Sequence, residues 1–199
     1  MSIETKLSIQ QDTQVDEYLN ALAQTIQAMP REEIWTVIQV LFNTWRAGSQ
    51  VFLFGNGGSS ATAAHMANDL NKLTIAPGKP RMKAICLSDN VPLLTAWAND
   101  QDYADVFAEQ LANFVQPGDV VIAISASGNS PNVLRGLEAA RRFQATTIGF
   151  TGNQGGKLKG LVDICIRIPD AHMGRQEDGH MILDHVISNT LRDIIAKAD

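Results

Sequence analysis

Small, hydroxyl-rich stretches occur twice in the chain, each directly after an apolar run. The first is GNGGSS at residues 55–60, and the second is SASGNSPN at residues 125–132. Small residues let a ligand approach the backbone closely, and a helix that begins after such a loop offers unpaired N–H groups to an anion. Neither stretch contains Lys or Arg, and neither fits the Walker or dinucleotide glycine patterns. The two loops therefore predict a neutral cradle for a phosphomonoester, with ordinary capped turns as the alternative.

Histidines and carboxylates form a second pattern. His65 and Asp69 are four residues apart on the helix predicted after the first loop, so they share a face. Near the C-terminus, Glu177 and His185 are eight residues apart, which places them about 80° from each other around a helix. Such pairs from two helices can bind a divalent metal of the zinc type or act as general acid and base. A capped helix start with structural histidines is the alternative, and the spacing favours it for His180.

Apolar patterning predicts the fold that positions these residues. Two amphipathic helical patterns, at about 14–28 and 31–47, precede five short apolar runs that alternate with helical patterns. Nearly continuous apolar runs are typical of strands buried on both faces, and strand–helix alternation implies parallel pairing. We therefore expect an α/β fold, a doubly wound parallel five-stranded sheet with an N-terminal helical pair. The predicted strands are 51–55, 82–88, 119–125, 145–152 and 163–169, and the predicted later helices are 59–72, 91–97, 103–115, 130–143 and 176–197.

Composition excludes several classes of protein. The chain has 199 residues, enough for one domain, with 45% apolar and 19% charged residues. A net charge of -5 argues against a nucleic-acid-binding surface. No apolar leader or spanning stretch is evident, so we expect a cytoplasmic protein without membrane contacts. Cys86 and Cys165 lie in apolar runs and are predicted to be buried strand residues rather than a disulfide.

The motifs together resemble those of a known family. GNGGSS, AWAND, SASGNSPN, TGNQGGKL and QEDGHMILDH closely resemble the motifs of the sugar isomerase (SIS) domain, and the C-terminal histidine pattern is similar to that of the phosphoheptose isomerase group. The resemblance covers nearly the whole chain. It implies a flavodoxin-like fold and a homotetramer, with residues 1–48 contributing helices to assembly and residues 49–199 binding the sugar phosphate within the same domain. It also implies conversion of sedoheptulose 7-phosphate to D-glycero-D-manno-heptose 7-phosphate, with zinc or another divalent metal.

The resemblance also implies site residues. The family's metal and acid–base set is a His and a Glu four apart, followed by a Gln and a His eight apart, and it falls on His65, Asp69, Glu177 and His185. Asp69 is one methylene shorter than the family's residue, and Glu177 adds a charge. Asp69 or Glu177 would be the base of an enediol isomerisation, and His185 the acid or proton shuttle. The phosphorylated sugar would contact Asn56, Gly57, Gly58, Ser59, Asp100, Ser125, Ala126, Ser127, Ser130 and Glu177.

Three other functions remain open at this point. A non-catalytic SIS tetramer that binds a replication initiator would lack parts of the acid–base set, whereas His65 and His185 are both present. A sugar-phosphate-sensing regulator would usually carry a DNA-binding module, and the first 48 residues show no helix-turn-helix pattern. An isomerase of a different phosphosugar is compatible with Asp69 and Glu177.

Overall fold

A parallel sheet of five strands forms the centre of the fold. The computed structural model describes residues 11–198. The strands lie in the order β2-β1-β3-β4-β5, and all four neighbouring pairs are parallel. This order and direction confirm the predicted doubly wound fold. The strands are β1 (Gln50–Gly55), β2 (Lys83–Cys86), β3 (Val120–Ser125), β4 (Thr146–Thr151) and β5 (Ile164–Arg167).

Helices cover both faces of the sheet. They are α1 (Gln11–Gln27), α2 (Arg31–Ala47), α3 (Gly58–Lys72), α4 (Val91–Asp100), α5 (Ala108–Phe114), α6 (Pro131–Arg142) and α7 (Met173–Lys197), with 3₁₀ turns at Tyr103–Asp105 and Leu158–Gly160. Because successive side chains of a strand point to opposite faces, Val51 and Leu53 pack with α2, α3 and α7, whereas Phe52 and Phe54 pack with α5 and α6. The pattern predicted at 103–115 divides into a 3₁₀ turn and α5, and the last helix begins three residues earlier than predicted.

The two edge strands correct two expectations. β2 was expected to be buried on both faces, but its burial alternates and Ile85 is 40% exposed. Cys86 is buried as predicted, whereas Cys165 on β5 is only half-buried. Both differences have the same cause, because an edge strand has a neighbour on one side only. Within residues 11–198, no helix combines the length and the apolarity that crossing a membrane requires.

The strand order brings the two hydroxyl-rich loops together. β1 and β3 are neighbours, and Gly55 pairs with Ile124 at their carboxyl ends. The chain leaves β1 toward β2 on one side and later enters β3 on the other side. This reversal of strand order opens a crevice beyond the carboxyl ends of the strands, which is where doubly wound sheets bind ligands.

Asp170, just after β5, joins α1 to the start of α7. It accepts two hydrogen bonds from the Arg175 guanidinium, at 2.6 Å from Nε and 2.9 Å from Nη2, and a third from the His172 backbone at 2.7 Å. The Thr25 hydroxyl of α1 donates a fourth. The Arg175 fork holds the pKa of the Asp170 carboxyl well below its usual range, with help from Thr25 and His172.

We expect Asp170→Asn to lower the free energy of unfolding at pH 7 by about 2 kcal/mol, because the Arg175 guanidinium loses the carboxylate that neutralises it at a nearly buried position. A depressed pKa in the folded state stabilises the fold at pH values above the unfolded carboxyl pKa of about 4, and this stabilisation is lost as the pH falls. The difference between wild type and variant should therefore shrink below about pH 4. Denaturant unfolding between pH 3 and pH 8 measures it.

Asp193→Asn is the matched control, since Asp193 pairs with Arg192 on the exposed face of α7. Exposed pairs contribute about 1 kcal/mol or less. Equal losses for the two variants would contradict the role of Asp170.

Candidate active site

A reciprocal pair of amides ties the first loop to the start of α6. Asn56 Nδ2 donates to Asn132 Oδ1 at 2.9 Å, and Asn132 Nδ2 donates to Asn56 Oδ1 at 2.8 Å. The Tyr103 hydroxyl also donates to Asn56 Oδ1, at 3.0 Å. Asn132 is only 2% exposed, and its Oδ1 accepts a further bond from the Val133 backbone. The loops that follow β1 and β3 are therefore tied together by a part-buried pair of hydrogen bonds.

A small cavity of about 150 Å³ lies between these loops. Ser130 stands at the N-terminal end of α6 without capping the helix through its side chain, so its hydroxyl is not used by the helix. The cavity contains no Lys or Arg, so hydroxyls and the positive end of the α6 dipole are what it offers to an anion. Its lining residues are Asn56, Ser59, Ile124, Ser125, Ala126, Ser127, Ser130 and Met173.

The second loop has a conformation that depends on Gly128. The Gly128 backbone has φ +61°, and its N–H donates to Ser125 Oγ at 3.2 Å. A Cβ at this position would lie 2.2 Å from the Gly155 carbonyl oxygen. The absent side chain lets the TGNQGG loop pack against the second loop and support it from behind.

Four side chains of α3 and α7 converge where these two helices pack together. His65 and Asp69 come from α3, and Asp184 and His185 come from α7, with one ligand atom of each within 4.8 Å of the others. The two Nε2 atoms of His65 and His185 are 3.3 Å apart. His65 Nε2 lies 3.7 Å from Asp69 Oδ2 and 3.8 Å from Asp184 Oδ2. Imidazole and carboxylate donors at such distances are able to hold a divalent cation or to exchange protons.

Asp184 is the buried member of this group. The Ser188 hydroxyl donates to its Oδ1 at 2.9 Å, whereas its Oδ2 has no hydrogen-bond partner. Burial raises the pKa of Asp184 to about 6; Ser188 opposes the shift, the Asp69 carboxylate adds to it, and His65 and His185 oppose it.

Comparison with known proteins places the chain in a family. The sequence model of the SIS domain matches residues 16–152. The phosphoheptose isomerase of Paramagnetospirillum magneticum is 35% identical over 187 residues, which cover 94% of this chain and 96% of that protein. The phosphoheptose isomerase of Mycobacterium tuberculosis is 43% identical over 144 residues, or 72% and 73% of the two chains. The chain belongs to the phosphoheptose isomerases of the SIS family.

A solved structure of this family has the same fold. The phosphoheptose isomerase from Francisella tularensis superimposes with a TM-score of 0.86 at 25% identity, covering 93% of this chain and 100% of that one. This coverage is wider than the part matched by the SIS model, which ends at residue 152, before β5 and α7. The family and fold expected from the sequence motifs are confirmed.

Glu177 lies at a different place in this phosphoheptose isomerase fold from the cluster that contains His65. Its carboxylate packs on Gly58, where a Cβ would come 2.9 Å from Glu177 Oε1. It therefore occupies the start of α3, next to the first loop. His180 is 1% exposed, and burial lowers its pKa to about 4, so it is a neutral residue of the protein interior.

Asp100 does not line the cavity between the two loops. It is the exposed last residue of α4, where its carboxylate accepts a bond from Asn99 Nδ2 at 2.7 Å. It is absent from the residues that line the cavity, among those the structure describes. Its predicted contact with the sugar stays a prediction.

A larger open groove of about 630 Å³ lies between α3 and the edge strand β2. It contains none of the predicted site residues among its lining residues, which include Asn71, Ile85 and Asp89. The smaller cavity is the better candidate for the sugar phosphate in this family, because it lies at the reversal of strand order.

Some site residues were not predicted from the sequence. Met173 lines the cavity, Asn132 and Tyr103 position the first loop, and Asp184 joins the histidines. One signal for Asp184 was available. It stands within an apolar helical stripe that includes Leu183, and a carboxylate at a buried position is expensive unless it is used.

We expect Asn132→Ala to weaken the binding of sedoheptulose 7-phosphate about tenfold, because about 1.4 kcal/mol of loop positioning is lost with the amide pair. Isothermal titration calorimetry measures the affinity. Asn113→Ala, on the exposed face of α5, is the control and should bind as wild type does. Unchanged affinity in Asn132→Ala would show that the amide pair does not position the cradle.

Proposed function

We propose that this protein isomerises sedoheptulose 7-phosphate to D-glycero-D-manno-heptose 7-phosphate. The observation that carries the proposal is that α3 and α7 both run from a neutral anion cradle, which Ser59 and Met173 line, to a histidine–carboxylate cluster. A sugar phosphate needs both, one for its phosphate and one for its carbonyl end. The family membership supports this reaction over a purely binding role.

The phosphate would lie in the cavity between the two loops. Hydroxyls of Ser59, Ser125, Ser127 and Ser130 line this cavity, and α6 begins beside it. The helix dipole and unpaired N–H groups supply the positive potential that basic side chains supply elsewhere. A neutral cradle of this kind binds through hydrogen-bond geometry and is suited to a phosphomonoester that must be released.

Helix α7 would present acid–base groups at increasing distance from the phosphate. Met173 lines the cavity, Glu177 lies one turn further, about 6 Å along the axis, and His185 lies about 12 Å beyond Glu177. The sugar carbons of a phosphorylated heptose extend over a shorter distance than this. The carbonyl end is therefore expected between Glu177 and the histidine–carboxylate cluster.

The chemistry is an aldose–ketose isomerisation through an enediol. A base, Asp69 or Glu177, removes the proton on C1 of the ketose while the carbonyl oxygen on C2 gains one. A proton then returns to C2 as the hydroxyl on C1 loses its own, which leaves an aldehyde. His185 is the proposed acid and carrier of these protons, because it is exposed and its ring contacts that of His65.

A divalent cation, zinc or another, fits the donor set of this cluster. His65, Asp69 and His185 would hold it, with a second carboxylate from α7 completing the set, either Glu177 as the resemblance implies or Asp184 as the geometry suggests. When bound, such a cation polarises a carbonyl and stabilises an enediolate.

We also propose a homotetramer in which residues 1–48 contribute to assembly and residues 49–199 hold the sugar phosphate. In α1, Val15, Leu19 and Ile26 are 60%, 56% and 38% exposed. Together with Leu22 they form an apolar stripe at helical spacing, and such a stripe stabilises a helix only when another surface covers it.

Purified protein is expected to convert sedoheptulose 7-phosphate to the aldose, observed by proton NMR. His185→Ala should lower kcat by a factor of about 100 to 10,000, the usual contribution of one general acid–base group. His172→Ala, which changes an exposed histidine outside the cluster, should keep nearly full activity. Turnover of other phosphosugars but not this one would correct the substrate, and full activity in His185→Ala would remove His185 from the mechanism.

Leu19→Lys is expected to reduce the assembled mass, because it places a charge within the apolar stripe of α1. Light scattering after gel filtration measures the mass, and Asn20→Lys, on an exposed position next to it, should leave it unchanged. A tetramer that survives Leu19→Lys unaltered would argue against assembly through this stripe.

A further inference from the structure

We propose that Asp184, and not Glu177, is the second carboxylate ligand of a divalent cation held between α3 and α7 by His65, Asp69 and His185. The inference rests on the proposed isomerase site, but its test measures metal binding without turnover. It departs from the residue-by-residue correspondence with the family, which assigns this place to position 177.

The distances within the cluster are close to those of a metal centre. Zinc–nitrogen and zinc–oxygen bonds of about 2.0–2.1 Å in a tetrahedron separate neighbouring ligand atoms by about 3.4 Å. The two histidine Nε2 atoms are 3.3 Å apart, and His65 Nε2 is 3.7 Å and 3.8 Å from the oxygens of Asp69 and Asp184. Small side-chain movements would therefore be enough to close the coordination shell.

Asp184 carries an oxygen that lacks a partner and faces the histidines. The side chain is completely buried, Ser188 occupies Oδ1, and Oδ2 has no hydrogen bond. An unpaired buried carboxylate oxygen is costly, and a cation bound to Oδ2 would offset this cost. The Ser188 hydroxyl fixes the carboxylate in the orientation that a ligand requires, as partners behind metal ligands commonly do.

Glu177 lies outside the cluster of His65, Asp69, Asp184 and His185. Its carboxylate contacts Gly58, and Asp184 contacts His65. Both steps, from 58 to 65 on α3 and from 177 to 184 on α7, span seven residues, so the two helices run side by side in the same direction. Glu177 consequently lies two turns before Asp184, about 10 Å along the axis, and its carboxylate contacts the start of α3 instead of the cluster.

This exchange of ligands has two consequences for the site. Two carboxylates neutralise a divalent cation, and the mixed nitrogen–oxygen set suits zinc and similar metals. Glu177 meanwhile keeps a free carboxylate at the start of α3, next to the sugar-phosphate cradle, where it can act as the base.

The experiment compares two isosteric variants, Asp184→Asn and Glu177→Gln, after removal of metal. Zinc affinity is measured by competition with a chromophoric chelator, and cobalt absorption reports the coordination geometry. Asp184→Asn is expected to weaken zinc binding about 100-fold or more, whereas Glu177→Gln should stay within about threefold of wild type. Asp178→Asn, a neighbouring carboxylate outside the cluster, serves as the control.

Ser188→Ala keeps the inference testable if Asp184→Asn does not fold. This variant retains the Asp184 carboxylate and removes only the hydrogen bond that Ser188 donates to it, so zinc affinity should fall about 10-fold. Loss of zinc binding in Glu177→Gln with full binding in Asp184→Asn would overturn the inference, as would a wild-type protein that binds no zinc. Zinc binding that depends on Asp184 in a protein without isomerase activity would uphold the inference and reject the proposed function.

Discussion

The side-by-side packing of α3 and α7 is the constraint on which the site depends. The two helices are 120 residues apart where His65 meets His185, yet their contacts repeat in register over two turns, from Gly58 with Glu177 to His65 with Asp184. The contact of Gly58 with Glu177 lies next to the first loop, and the contact of His65 with Asp184 belongs to the histidine–carboxylate cluster. A shift of α7 by one residue would rotate its side chains by about 100° and separate both sets of partners.

The sheet supplies the other half of the site. Neighbouring β1 and β3 place two loops at one crevice, and the Asn56–Asn132 pair prevents them from moving apart. The cradle then needs no basic residue, because hydroxyls and the start of α6 provide the donors. Its affinity for a phosphate group therefore depends on hydrogen-bond geometry more than on net charge, which is consistent with a sugar phosphate as the ligand of an acidic protein.

Local sequence patterns were sufficient to predict the sheet and the loops, whereas grouping His65, Asp69 and His185 in one site also needed the family resemblance. The local predictions rest on rules that act within a strand or a helix, or on the direction of crossovers. The neighbourhood of Asp184 could not be predicted in this way, because spacing along α7 does not specify the register of α7 against α3. The half-exposure of Cys165 and Ile85 was missed for a related reason, since apolar content does not reveal which strands lie at an edge.

The position of α7 at the end of the fold has a consequence for how the site is made. Proteins are synthesised from the N-terminus, so the sheet and both loops exist in the growing chain before Met173 is added. Asp184 and His185 arrive only with the last helix. A nascent chain that has not yet reached α7 therefore contains His65 and Asp69 without their partners, and the cluster of four forms only when α7 docks against α3.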